Sequence, residues 1–122
     1  MSTQIDTRLS EQLGRYLDLA ASQAKVTAAN VANIDTPGYR AVGFDFEAEM
    51  RDALTRVDQE KLPQPVRLKE VDGLIARPDG NDVSMDRESL NLAKSQLQFK
   101  TGVTLLRQEY QRVLDAIHVD GK

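Results

Sequence analysis

The sequence predicts a mainly α chain: two long terminal helices pairing as an antiparallel α-hairpin or coiled coil, around a loop-rich middle segment with one short helix and room for a small β-hairpin. Three observations lead there. Apolar residues recur at steps of three and four over the first thirty or so positions, and again from Ser84 to Val119. All four prolines, Pro37, Pro63, Pro65 and Pro78, fall between those stretches. Hydrophobic residues make up 40% of the 122-residue chain but aromatics only 5%, with no tryptophan, which suits helix–helix seams better than a large central core. We expect a single domain over 1–122, with an N-terminal helix at 5–34, a turn and irregular excursion at 35–82, and a C-terminal helix at 84–119.

The N-terminal helix rests on Ile5, Leu9, Leu13, Tyr16, Leu17, Ala20, Ala24, Ala28 and Val31, spaced for one helical face. Its first half carries Leu and Tyr knobs. Its second half carries Ala20, Ala21, Ala24, Ala28, Ala29 and Ala32, a composition that serves helix propensity and close backbone approach equally well. Gly14 is a weak point, costing about 1 kcal/mol relative to alanine.

Pro37 ends this helix by fixing its own φ and pushing Thr36 out of the α region. Gly38 directly after it suits the second corner of a type II turn, where φ is positive. Tyr39 and Arg40 then restart the chain. Asn30 and Asn33, one turn apart near the helix end, suit local capping and backbone hydrogen bonding, with amide contacts between subunits as the alternative.

Beyond the turn, Val42 to Phe46 alternates like a short strand or extended arm, and Glu47 to Val57 fits about three helical turns with Met50, Leu54 and Val57 on one face. From Gln59 to Gly80, prolines and glycines break any long element, leaving Val66-Arg67-Leu68 and Leu74-Ile75-Ala76 as candidate short strands. Asp79 to Asp86 fails as a calcium loop: its fifth position is Val83, its sixth Ser84 and its twelfth Leu90. It reads instead as a turn with Asp82 or Ser84 capping the last helix, and Asp86 and Glu88 favoured in the first turn by the helix dipole.

The last helix has the clearest periodicity. Leu92, Phe99, Val103, Leu106, Tyr110, Val113 and Ile117 form a coiled-coil-like seam, and Leu9, Leu13, Tyr16, Ala24 and Ala28 are its expected helix-packing counterparts. A second stripe of Leu90, Ala93, Leu97 and Leu105, with Leu114 beside it, widens the apolar surface beyond what one partner helix covers. Gly102 fits a place where a neighbour crosses closely.

Several classes of chemistry find no support. A net charge of −3 and a pI near 5.1 speak against a nucleic-acid surface. The absence of cysteine removes disulfides, thiolate metal sites and cysteine nucleophiles. The carboxylates at Asp45, Glu47, Glu49 and Asp52 alternate with arginines as a solvated face, and His118 is a lone histidine near a helix end. There is no phosphate loop, nucleotide fingerprint or Ser/His/Asp constellation. We therefore expect no catalytic residue, no metal and no cofactor. No apolar run approaches the ~20 residues of a membrane span, and the first residues lack the basic and apolar regions of a Sec signal.

Residues Ala28 to Arg40 fit the pattern A-x-N-x-A-N-x-x-T-P-G-Y-[KR] at every specified position. In this the chain resembles the bacterial flagellar rod, hook and hook-associated axial proteins. Phe44-Asp45-Phe46-Glu47, the stretch Asn81 to Glu88 and the short length narrow the resemblance to proximal rod subunits. Ser84 stands where that family often has aspartate, and is an equally good N-cap. The resemblance implies a non-enzymatic structural subunit, exported without a cleaved signal through the flagellar type III apparatus and polymerised helically in the periplasm. It implies contacts with itself, with other rod subunits and with the membrane-ring adaptor FliE. It makes Asn30, Asn33, Thr36, Pro37, Gly38, Tyr39 and Arg40 an assembly motif, and it tips the asparagines towards contacts between subunits. The alternative from another class is a cytosolic coiled-coil adaptor or regulator that dimerises through its C-terminal helix.

Overall fold

The computed structural model describes the backbone of residues 2–120 and the side chains of residues 8–119. It is mainly helical, with a two-stranded sheet in the middle. Ile5, expected on the N-terminal apolar face, lies outside the described side chains. Helix α1 spans Ser2–Ala32 and stops two residues before the expected Ile34. Its last turn tightens: the Asn33 amide reaches the carbonyls of both Ala29 and Asn30 at 3.2 Å, and those of Ile34 and Thr36 bond three residues back. The Tyr39 amide then donates to the Thr36 carbonyl at 3.2 Å, and Gly38 takes φ +76°, closing the expected type II turn.

The strand pairing differs from a local hairpin. Strand β1, Val42–Gly43, pairs antiparallel with β2, Lys69–Glu70, in the register Val42↔Glu70 and Gly43↔Lys69. Val66–Leu68 and Leu74–Ala76 stay irregular. The physical reason lies in Arg67, whose amide and Nε both donate to the buried Glu49 carboxylate at 3.2 and 2.9 Å. Those bonds tie the segment to α2 in place of a local strand partner.

Helix α2, Phe46–Asp58, starts at Asp45, whose carboxylate accepts the Ala48 amide at 3.1 Å. It ends in a Schellman motif: Glu60 takes φ +57°, and Glu60 and Lys61 donate to the carbonyls of Val57 and Arg56. Arg15 and Arg56 then hold the carbonyls of Lys61 and Leu62, strapping the start of the excursion to both helices. Helix α3, Met85–Asp120, is capped by Ser84, whose hydroxyl accepts the Arg87 amide at 3.3 Å.

Helix α1 is the central element, packing α2 on one face and α3 on another, while α2 and α3 make no mutual contact among the described residues. The pairing with α3 is antiparallel. Asn30 meets Glu88, Ala20 and Ala24 face Ser95 and Phe99, and Leu17 meets Gly102.

The buried line on α3 is not the apolar stripe. It runs Glu88, Ser95, Gly102 and Glu109, at intervals of seven, with Leu106 and Val113 half-buried beside it. Leu92, Phe99, Tyr110 and Ile117 stay exposed, at 43%, 47%, 62% and 59%. At ~100° per residue, this seam is turned by about 50° from the one the apolar spacing predicts. Close approach explains the turn. A methyl group added at Gly102 would stand 2.6 Å from Leu17 Cδ2 and 3.0 Å from Tyr16 Cδ2, so large side chains on this line would force the helices apart. Two of the polar members bond within their own helix: the Ser95 hydroxyl donates to the Leu92 carbonyl, and Glu109 takes two bonds from Arg112.

Candidate functional site

The densest set of specific contacts lies where the end of α1, the Pro37-Gly38 turn and the start of α3 meet. Asn30 is its centre. Its side chain is 1% exposed and makes four hydrogen bonds. The carboxamide nitrogen donates to the Val42 carbonyl at 2.9 Å and to Glu88 Oε1 at 3.1 Å; the oxygen accepts from the Val42 amide and the Tyr39 hydroxyl, both at 3.0 Å. Paired with both backbone groups of Val42, the amide takes the place of a third strand beside β1. All of its bonding capacity is used inside the chain. This corrects the inclination towards subunit contacts at Asn30.

Glu88 sits across from it, fully buried, and Arg87 Nη1 donates to the same Oε1 at 2.6 Å. A carboxylate taken out of water needs pairing and hydrogen bonds; here the amide and the guanidinium both serve Oε1, while the buried Oε2 has no hydrogen-bond partner. Burial, reinforced by the Glu88 charge, raises the Tyr39 phenol above its ordinary value, so it stays a neutral donor.

A second knot surrounds Asn81, also fully buried. Its amide nitrogen donates to the carbonyls of Asn33 and Thr36, at 2.8 and 2.9 Å, so a residue far along the chain caps α1. Its oxygen accepts the Val83 amide at 2.9 Å, and Arg77 donates to the Ile34 carbonyl nearby. Gly38 donates to the Asp79 carbonyl at 2.8 Å, and Gly80, at φ +86°, lies so close that a methyl group there would stand 3.3 Å from Gly38 Cα. Asp82 completes the set: its carboxylate accepts the Ala41 amide at 2.6 Å and faces Arg40 at 3.8 Å. Asp82 therefore does not cap α3; Ser84 does.

The structure distributes the motif residues unequally. Asn30 and Tyr39 enter the junction. Asn33 bonds back to the Ala29 carbonyl and accepts from the Thr36 hydroxyl, a local cap. Thr36, Pro37, Gly38 and Arg40 line its exposed rim. Of the helix-packing set, Leu13, Tyr16, Ala24, Val103, Leu106 and Val113 are half-buried, whereas Leu9 and Ala28 join Leu92, Phe99, Tyr110 and Ile117 on the surface. Glu88, Asn81 and Asp82 are the junction residues that the sequence does not reveal, since their local pattern points to dipole, turn and cap roles. The available signal was the seven-residue recurrence of small or polar residues at Glu88, Ser95, Gly102 and Glu109.

The junction offers hydrogen bonding and chain geometry, with no nucleophile set against a base. Among the described residues no group of three metal-ligating side chains converges, and no helix is long and apolar enough to cross a membrane.

The comparisons with known proteins fall on this same architecture. Residues 17–40, the later part of α1 and its turn, match the family model described as "Flagella basal body rod protein", which sets the class. Over 119 residues the chain is 34% identical to the flagellar basal body rod protein FlgB of Salmonella typhimurium, covering 83% of this chain and 86% of that one. Against FlgB of Escherichia coli K12 the identity is 30% with the same coverage, and against that of Yersinia ruckeri 29%, covering 83% and 87%. The chain belongs to the FlgB family of flagellar basal body rod proteins.

Proposed function

We propose that this chain is a structural subunit of the proximal flagellar rod, polymerising helically to help transmit motor torque and needed for flagellum assembly and swimming. The observation that carries the reading is the likeness to FlgB proteins over 83% of the chain. The apolar faces left open on α3 support it, because a single chain that exposes Leu90, Leu97 and Tyr110 at 70%, 67% and 62% is suited to burial against neighbours. Contacts that repeat without closing into a ring generate such filaments.

In this reading the subunit works in the periplasmic part of the basal body, after export through the flagellar type III apparatus without a cleaved signal. Its neighbours are copies of itself, other rod subunits and FliE. It does no chemistry; its task is mechanical. The junction supplies the rigid link between helices that torque transmission needs. The comparisons favour this over a cytosolic coiled-coil adaptor.

Fractionation of cells carrying an epitope-tagged chain is the test. The tagged chain should copurify with basal bodies, and its deletion should leave cells non-motile and without rods. Recovery only in the soluble cytoplasm, or normal motility in the deletion strain, would overturn the reading.

A further inference from the structure

Asp-Gly pairs occur in the sequence at 72–73, 79–80 and 120–121. An aspartate followed by glycine carries its own reagent. The glycine backbone nitrogen attacks the side-chain carbonyl carbon of the aspartate, and glycine, with no Cβ, leaves that approach open. An N–C bond forms, and the amide proton leaves with the carboxyl hydroxyl as water, closing a five-membered succinimide. Water then adds to either ring carbonyl. One opening restores aspartate; the other gives isoaspartate, whose main chain runs through the side-chain carbon. The water lost in the first step is regained in the second, so no co-reactant is needed. Whether a pair reacts depends on its freedom to bring nitrogen and carboxyl together.

The fold treats the first two pairs differently, and the third lies outside the described side chains. At Asp79-Gly80 both reacting groups are engaged. The Gly80 amide donates to the Arg77 carbonyl at 2.8 Å, the Asp79 carboxylate accepts the Asn81 amide at 3.0 Å, and the Asp79 carbonyl accepts the Gly38 amide at 2.8 Å. The turn is also pressed against its neighbour, since a methyl group at Gly80 would stand 3.3 Å from Gly38 Cα. Bringing the carboxyl back onto the Gly80 nitrogen breaks bonds of the knot around the buried Asn81.

At Asp72-Gly73 nothing comparable holds the chain. Both residues are exposed, and neither the Gly73 amide nor the Asp72 carboxylate makes a hydrogen bond among the described residues. Gly73 takes φ +81°, and a methyl group there would meet nothing within 4 Å. The backbone is fixed just before the pair, where the Val71 amide donates to the Ala41 carbonyl at 3.0 Å, and next where the Arg77 amide donates to the Asn81 carbonyl at 2.8 Å. Between them Ile75 is 91% exposed. A turn with so few contacts opens at low free energy.

We propose that Asp72-Gly73 is a modification site: the pair isomerises spontaneously to isoaspartate and so becomes an acceptor for an isoaspartyl methyltransferase, while the fold protects Asp79-Gly80. In that second reaction the isoaspartyl carboxylate takes the methyl group of S-adenosylmethionine, forming an ester and leaving S-adenosylhomocysteine. The inference stands apart from the rod reading. Isomerisation adds one backbone bond between Val71 and Arg77, next to the β1–β2 pairing.

The test is to age the purified full-length chain in warm neutral buffer, then treat it with isoaspartyl methyltransferase and labelled S-adenosylmethionine. Trypsin leaves both aspartates in one peptide, 70–87, because Arg77 precedes proline, so electron-transfer fragmentation assigns the position. Isoaspartate at 72 should exceed that at 79 at least several-fold, and Asp72→Ser should remove most of the label from this peptide without changing helical circular dichroism. Ageing in urea should raise Asp79 to match Asp72. Equal accumulation in the folded chain, more at Asp79, or none at either would overturn the proposal. So would a difference that persists unchanged in urea, because neighbouring sequence and not the fold would then set it.

Discussion

The two ends of the hairpin solve opposite problems. Where α1 ends and α3 begins, polar groups are buried and nearly every one has a partner: Asn30, Asn81, Asp82 and Glu88 are each at most 5% exposed, and together they bond five backbone or side-chain segments. Further down, from Leu90 to Val119, large apolar side chains face solvent while Ser95, Gly102 and Glu109 take the inner line. The contrast separates two kinds of specification. Hydrogen bonds have directions and lengths, so the polar end fixes one chain path. Apolar contact is non-directional, and the shaft leaves apolar area exposed to solvent.

That contrast can be broken at its polar end first. Asn30→Asp removes the amide donor and sets a second carboxylate about 3 Å from Glu88, with no new cation to balance it. Leaving buried groups unpaired costs roughly 1–3 kcal/mol each, and an unbalanced buried charge more. Urea unfolding followed by helical circular dichroism should therefore show a loss of about 3 kcal/mol or more. A loss below about 1 kcal/mol would mean that the junction is not the stabilising centre.

Tyr39 offers a gentler probe of the same end. Its phenol titrates above the ordinary value of 10.0 because burial and the Glu88 charge disfavour the phenolate. A group whose folded pKa is raised contributes stability that is fully present below its unfolded pKa and is lost as pH rises through the folded one. Stability should thus fall with pH above about 10. Tyr39→Phe should be less stable at neutral pH by about 1 kcal/mol, for one hydrogen bond lost, and should show less of that alkaline decline. An unchanged alkaline slope would place the effect elsewhere.

On the shaft, two glycines should respond with opposite sign. At Gly102 an added methyl group meets Leu17 at 2.6 Å, so Gly102→Ala should destabilise: overpacking of ~1–3 kcal/mol outweighs the ~1 kcal/mol gained in helix propensity. At Gly14 nothing stands within 4 Å, so Gly14→Ala should raise stability by about 0.5–1 kcal/mol. Thermal melts of the two variants side by side are sufficient, and equal shifts would deny the close crossing. The smallest effect belongs to the exposed leucines near the start of α3. Leu90→Gln with Leu97→Gln should change the stability of the isolated chain by less than about 0.5 kcal/mol per site while preventing incorporation into basal bodies.

By itself the sequence determined the helical class, the two long terminal elements and the proline–glycine corner, and it narrowed the cap of α3 to Asp82 or Ser84. Each follows from local physics: periodicity, fixed φ, the freedom of glycine at φ +76°, and a hydroxyl that accepts an orphan amide. The geometry of the Pro-Gly corner was legible because it is decided within a few residues. What Asn30 bonds to was out of reach, since its partners lie at Tyr39, Val42 and Glu88, the last 58 residues away. Only the tertiary structure decided which face of α3 turns inward. The apolar spacing names a hydrophobic stripe, yet how closely two helices approach depends on side-chain size at the crossing, and Gly102 against Leu17 puts the small and polar line inside and leaves the leucines exposed.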